Sequence, residues 1–176
     1  MKGGTAMTTE NDHAANLKKL GDMIKGIGVG MMTTAQEDGI LRSRPMATLH
    51  HGDFDGDLWF FTEASLPKVG EVEHEPQVNI SYAEPKEQQY VSVSGTTRVV
   101  RDRPTLEKFW NPLLKAGFPK GLDDPDLTLL RVRVEQAEYW DSPSNRMVQL
   151  IGFAKALATG TRYEQGEDEK INLTER

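Results

Sequence analysis

In the segment FFTEASLPK, residues 60–68, a lysine stands where the first turn of a helix should begin. Backbone N–H groups converge at that end, and a cation there is disfavoured by roughly 0.3–1 kcal/mol. A solvated surface lysine is the ordinary reading of such a position. Its neighbours argue for more. Thr62, Ser65 and Lys68 fall within seven residues that span a strand end and a helix start. Ser65 is a residue type that caps helices, and Pro67 suits an early helical position. A phosphate docked there would accept from N–H, hydroxyl and ammonium groups together, each charged hydrogen bond contributing roughly 1.5–3 kcal/mol. That exceeds the dipole penalty, so a bound anion accounts for Lys68.

The stretch RSRPM supplies a second set. On a strand over residues 40–49, Arg42 and Arg44 share one face while Ser43 points away. Two arginines side by side repel unless their surface is open or an anion lies between them. Pro45 cannot donate a ladder hydrogen bond, which favours an edge strand whose backbone groups are free for a ligand. Met46 and Phe61 offer polarizable and flat surface beside those charges. Phosphate at one end and an aromatic-lined slot at the other describe a flavin mononucleotide (FMN) site better than a bare phosphate site.

These residues need a frame. Leu17, Leu20, Ile24 and Ile27 recur at helical spacing, which predicts an amphipathic helix over 13–26 ending at Gly26. Asp38-Gly39 and Asp55-Gly56 are tight-turn signals, and together they predict an antiparallel meander of three strands through GVGMMTTA, ILRSRPMATLH and LWFFT. Residues Ser65 to Glu75 read as a helix stopped by Pro76. QVNISYA and YVSVSGTTRVV alternate as half-buried strands, with Gly95 marking a bulge or a close backbone approach. Asp102 is placed to cap a helix whose apolar face is Leu106, Phe109, Trp110, Leu113 and Leu114. LTLLRVRVEQAEYW is a further strand with Leu130, Val132 and Val134 on one side. MVQLIGFAKALATG reads as strand then short helix, with the boundary open, and the acidic YEQGEDEK as a solvated tail from about residue 164. Some six short strands with inserted helices predict one mainly β domain over 13–176, a small barrel decorated by helices, after a flexible leader of residues 1–12.

Composition limits the partners. With 176 residues, 37% of them hydrophobic, the chain fills one domain. A formal net charge of −6 argues against a nucleic-acid or anionic-membrane surface, so a phosphate partner must be small and held locally. The absence of cysteine excludes disulfides, thiolate metal sites and thiol nucleophiles, and fits a cytoplasmic protein. GIGVG, at 26–30, follows a helix and precedes a strand, the reverse of a dinucleotide fingerprint. Asp53, Asp55 and Asp57 have calcium-loop spacing, but the twelfth position is Ala64 where a glutamate is required. His50 and His51 face opposite sides of a strand, without an evident third metal ligand. Trp110 reads chiefly as core or interface, with a weaker claim on the flavin.

LRSRPM, LWFFTEASLPKVGEV, QYVSVSG, WNPLL and AEYWDSPSNRM, in that order, resemble the general stress protein 26 group of the pyridoxamine 5'-phosphate oxidase-like, FMN-binding split barrels. The resemblance implies a six-stranded split barrel that forms a homodimer with FMN between the subunits. It places Arg42 at the opening of the flavin-binding strand motif, Pro45 and Met46 beside the ring through their backbone, and Thr62 and Lys68 at the phosphate. It sets Tyr90 where the oxidase has a glutamine, Trp140 near the flavin, and Arg146 at the oxidase's substrate. The cofactor candidates are thus Arg42, Ser43, Arg44, Pro45, Met46, Phe61, Thr62, Ser65, Lys68, Tyr90, Trp110 and Trp140, with Arg146 for substrate. Ala47 and Pro67 replace basic residues of the oxidase, and Val148 and Leu150 replace its substrate histidine and a flavin arginine. Arg44 offers replacement charge for the flavin phosphate, whereas pyridoxamine phosphate loses a main contact. The function this implies is an FMN-dependent oxidoreductase, with a nicotinamide as candidate electron donor. A flavin-binding stress protein without turnover is the alternative, and haem or a deazaflavin in the same barrel is a third reading.

Overall fold

The computed structural model describes residues 10–141 and 167–173. Helix α1 (Glu10–Ile27) starts within the expected leader and buries Leu20 and Ile24 of the predicted stripe, with Leu17 and Ile27 partly buried and Met23 added to it. It ends one residue past the expected Gly26. The left-handed glycine that closes it is Gly28, at φ +76°, whose N–H donates to Ile24 O.

Among the described residues seven strands follow: β1 (Val29–Ala35), β2 (Leu41–Ala47), β3 (Asp57–Glu63), β4 (Gln77–Glu84), β5 (Gln89–Val100), β6 (Leu127–Asp141) and β7 (Glu167–Asn172). Six of them run in the order β2-β1-β4-β5-β6-β3, each antiparallel to its neighbour. The seventh, β7, pairs with residues 136–141 of β6, beyond the end of β3. The result is a mostly β, α+β fold around an antiparallel sheet that does not close. Between its two ends, β2 and β3, the described residues form an isolated bridge just past β2, where Leu49 N–H donates to Trp59 O.

This order corrects the three-strand meander. The Asp38-Gly39 turn does close a β1–β2 hairpin, with Gly39 at φ +82°. The second turn instead sends β3 to β6. The physical reason lies in β3 itself, which is apolar on both faces. Leu58 and Phe60 enter the main core, while Phe61 joins a second cluster of Leu106, Phe109, Leu127 and Leu129. Such a strand needs cover on both sides, and β6 shares its pattern, with Leu129 and Leu130 entering different clusters.

Two further expectations change. Helix α3 (Arg103–Phe109) starts at Asp102, whose carboxylate accepts from Thr105 N–H as predicted. It stops before Trp110, because Pro112 holds Asn111 in an extended conformation, and Leu113 is left 86% exposed on a short 3-10 turn. The acidic segment is not wholly solvated: residues 167–172 form β7, and Ile171 is buried against the core. The stretch 147–160, read as strand and helix, lies outside the described residues.

Gly95 behaves as predicted. The β5–β6 register shifts between Ser94 and Gly95, and a Cβ on Gly95 would sit 2.1 Å from Arg133 O. Helix α2 (Pro67–His74) lies against β1 and β5, burying Val69 and Val72. It thereby places its first turn beside the gap between β2 and β3. No helix among the described residues is long and apolar enough to cross a membrane.

Candidate functional site

The gap in the sheet is flanked by part of the predicted set, the β2 residues and Lys68. On β2, Thr48 N–H donates to Gly28 O, so even-numbered residues turn their backbone groups toward β1. Ser43, Pro45 and Ala47 therefore turn theirs to the open edge, consistent with Pro45 having no N–H to give the ladder. Side chains follow the expected alternation. Met46 is buried and Arg44 half-buried on the inner face, while the Ser43 hydroxyl meets Thr33 Oγ1 at 2.7 Å on the other.

Lys68 reaches across from α2. Its Nζ lies 3.5 Å from Met46 Sδ, and no carboxylate is within ion-pair distance of it among the described residues. Burial, then the nearby Arg44 charge, hold its ammonium below the usual lysine range, with Glu63 acting in the opposite sense. A half-buried cation with a thioether as its hydrogen-bond partner calls for an anion. Arg42, exposed on the same strand, makes no hydrogen bond or ion pair among the described residues. Thr62, at the end of β3, is 2% exposed and its Oγ1 has no hydrogen-bond partner among the described residues. Orphaned buried hydroxyls are uncommon, and each costs about 1–3 kcal/mol until satisfied.

Arg44 is engaged differently from the expectation. Its guanidinium donates to Glu71 Oε2 at 2.7 Å and to Thr34 Oγ1, and the Thr34 hydroxyl donates to the same Glu71 oxygen. Burial works to raise the Glu71 pKa, but the Thr34 hydrogen bond and the Arg44 charge prevail and keep the carboxyl below its ordinary range. Arg44 is thus an internally neutralised cation. Sequence reasoning missed Thr34 and Glu71. Glu71 is one turn beyond Lys68, but its pairing with β2 depends on how α2 packs.

Ser65 also differs. Its hydroxyl and N–H both bind Asp126, at 2.5 and 2.9 Å, and the residue preceding α2 is Leu66, which gives no side-chain cap. The hydroxyl is therefore occupied by a loop contact, and the first-turn N–H groups of α2 have no side-chain acceptor at the N-cap. Phe61 and Trp110 come together edge to face, their centroids 5.7 Å apart, in the second cluster on the face opposite Thr62. Tyr90 and Trp140 are cross-strand partners on the outer face of the sheet, both partly exposed. Arg146, Val148 and Leu150 lie outside the described residues.

Comparison with known proteins agrees with this architecture. The family model described as "Pyridoxamine 5'-phosphate oxidase like" matches residues 15–164. Protein bli-3 of Neurospora crassa is 32% identical over 139 residues, covering 74% of this chain; the aligned part spans 66% of that protein's length. A general stress FMN/FAD binding protein from Xanthomonas citri has a similar structure, with 28% identity, a TM-score of 0.64, and coverage of 72% of this chain and 89% of that one. A candidate general stress protein 26 from Jannaschia sp. CCS1 shares the fold, with a TM-score of 0.73 at 24% identity over 91% of this chain and 99% of that one. Such neighbours bear out the resemblance to the general stress protein 26 group, and the chain belongs to the pyridoxamine 5'-phosphate oxidase-like family.

Proposed function

We propose that this protein binds FMN in the gap between β2 and β3, as a homodimer, and acts as a flavin-dependent oxidoreductase on a small molecule. The observation that carries the cofactor assignment is Lys68: a half-buried cation with no carboxylate partner among the described residues, at the start of the helix that follows β3, the strand whose end holds the orphaned Thr62 hydroxyl. These groups fit a terminal phosphate. Arg42 adds charge from the strand, and the free backbone groups of Ser43, Pro45 and Ala47 fit the polar rim of an isoalloxazine. When bound, that ring supplies the electron chemistry. The chain's part is to fix the phosphate with Lys68 and orient the ring along the β2 edge. The similar protein from Xanthomonas citri is described as binding FMN or FAD, which supports the same reading here.

The outer sheet face supports the dimer. Register places Met31 beside Pro45 and Ser81, Val29 beside Ala47, and Tyr90 beside Trp140. Val29, Met31, Tyr90 and Trp140 are among the exposed large apolar residues. Small polar groups, Thr33, Ser43, Ser81 and Ser92, fill the intervening positions. A face of exposed apolar and small polar groups, bordered by the Glu138–Lys170 ion pair, suits a second copy of itself. Pyridoxamine phosphate is disfavoured as substrate, because the sequence has Val148 where the oxidase has its substrate histidine, so a main polar contact to that substrate is lost.

A flavin carrier without turnover is the second reading. It is favoured by one feature: among the described residues at the gap, the titratable groups are cations, the locked Glu71 and the partly exposed Glu63, with no evident acid–base catalyst among them. An absorption spectrum of the purified protein tests the main assignment. Two visible flavin bands, with FMN released on denaturation, are expected; a colourless protein that takes up no added FMN refutes it. Steady oxidation of NADH or NADPH by the loaded protein then favours the enzyme over the carrier.

A further inference from the structure

Resting on the reading of Lys68 as the phosphate anchor, we propose that Glu71 is a specificity-determining residue. It cancels the charge of Arg44 and so sets how strongly the corner prefers a phosphorylated flavin to the same flavin without phosphate. The argument begins with burial. The Glu71 side chain is 9% exposed and that of Arg44 17%, so water screens the pair poorly. Glu71 Oε2 takes both donors, from Thr34 and Arg44, while Oε1 is buried with no partner. The carboxylate therefore remains a fixed negative charge within the cationic corner, with half of it uncompensated by any donor.

The surrounding charges define what this does. Arg44 and Lys68 interact repulsively, and Arg42 acts on Glu71 from the same strand. Glu63 acts on Lys68 from the end of β3, but it is partly exposed and more strongly screened. Without Glu71, the corner would hold three cations and attract any small anion. With it, the Arg44 charge is cancelled locally, and the pull on a phosphate falls to Lys68 and Arg42. A neutral flavin is indifferent to this balance. The ratio of riboflavin to FMN dissociation constants therefore reads the field of Glu71 directly.

Fluorescence titrations with FMN and with riboflavin, at low ionic strength, supply the test. Glu71→Gln keeps the shape and the acceptor for Arg44 but removes the charge, and raises the ratio by on the order of tenfold. Arg44→Met leaves Glu71 unopposed and lowers the ratio by a similar factor. Adding Glu71→Met to Arg44→Met brings it back up, and this pair decides the matter should Glu71→Gln fail to fold. Added salt narrows the differences. If Glu71→Gln weakens both flavins in parallel, or the second substitution fails to rescue the first, Glu71 is only structural and the proposal is overturned. Equal wild-type affinity for the two flavins instead overturns the phosphate-anchor reading itself, before any variant is compared.

Discussion

Substituting Gly95 by alanine tests whether the β5–β6 bulge is as tightly specified as the structure indicates. The new Cβ would lie 2.1 Å from Arg133 O, 2.9 Å from Arg133 C and 3.1 Å from Val134 Cα, whereas ordinary contact begins at 3.4 Å. All three neighbours are backbone atoms, so no side-chain rotation relieves the clash. Relief requires β5 and β6 to part at the bulge, leaving one or two buried ladder groups without partners, at about 1–3 kcal/mol each. A loss of about 3 kcal/mol follows, and for a chain of this size that lowers Tm by roughly 6–12 °C. Gly70→Ala is the internal control. Its Cβ meets nothing within 4 Å inside helix α2, so the ordinary preference for alanine over glycine raises stability by about 0.8–1 kcal/mol. Thermal melts followed by circular dichroism measure both. A Gly95→Ala protein melting within about 2 °C of the parent would show that the strands yield freely and that the bulge is no fixed contact.

Three further outcomes are expected. Lys68→Met raises Tm at pH 7, because burial and Arg44 depress the lysine pKa in the folded state. The charged form therefore penalises folding below that depressed value, and the advantage of methionine shrinks as pH climbs toward the ordinary lysine value of 10.5; no gain at pH 7 sinks this account. Met31→Glu, placed in the middle of the outer sheet face, converts the proposed dimer to a monomer in sedimentation equilibrium, and a mass equal to the parent's contradicts the proposed interface. Tyr82→Phe removes the partner of the buried Thr48 hydroxyl, 2.8 Å away, and lowers stability by about 1–2 kcal/mol; denaturant unfolding with no shift in midpoint contradicts that.

The residue pattern carried the local elements well and the long-range pairings poorly. Alternation in QVNISYA and the capping type of Asp102 are local properties, and both reappear in β4 and at the start of α3. Which strand β3 would pair with was not local: the Asp55-Gly56 turn is compatible with either neighbour, and only two-sided burial of Phe60 and Phe61 selects β6. The same limit applies to the site. Lys68 stood out as a cation at a helix start, and Arg42 with Arg44 as like charges on one strand face; the structure leaves Lys68 and Arg42 without a carboxylate partner among the described residues. Arg44 looked identical to Arg42 in the sequence, yet α2 delivers Glu71 to one and not the other. Ser65 had the right type for a cap but was taken by Asp126, sixty-one residues away. Tyr90 and Trp140 gave no sign of being partners until the β5–β6 register was fixed.

The most direct trial of the central claim compares Lys68→Met with the parent protein for FMN and riboflavin under identical conditions. Loss of one charged contact to the phosphate, worth about 1.5–3 kcal/mol, predicts FMN binding weakened by roughly 10- to 150-fold with riboflavin nearly unchanged. Equal weakening of both flavins, or no weakening of either, would remove Lys68 from the phosphate and contradict the account.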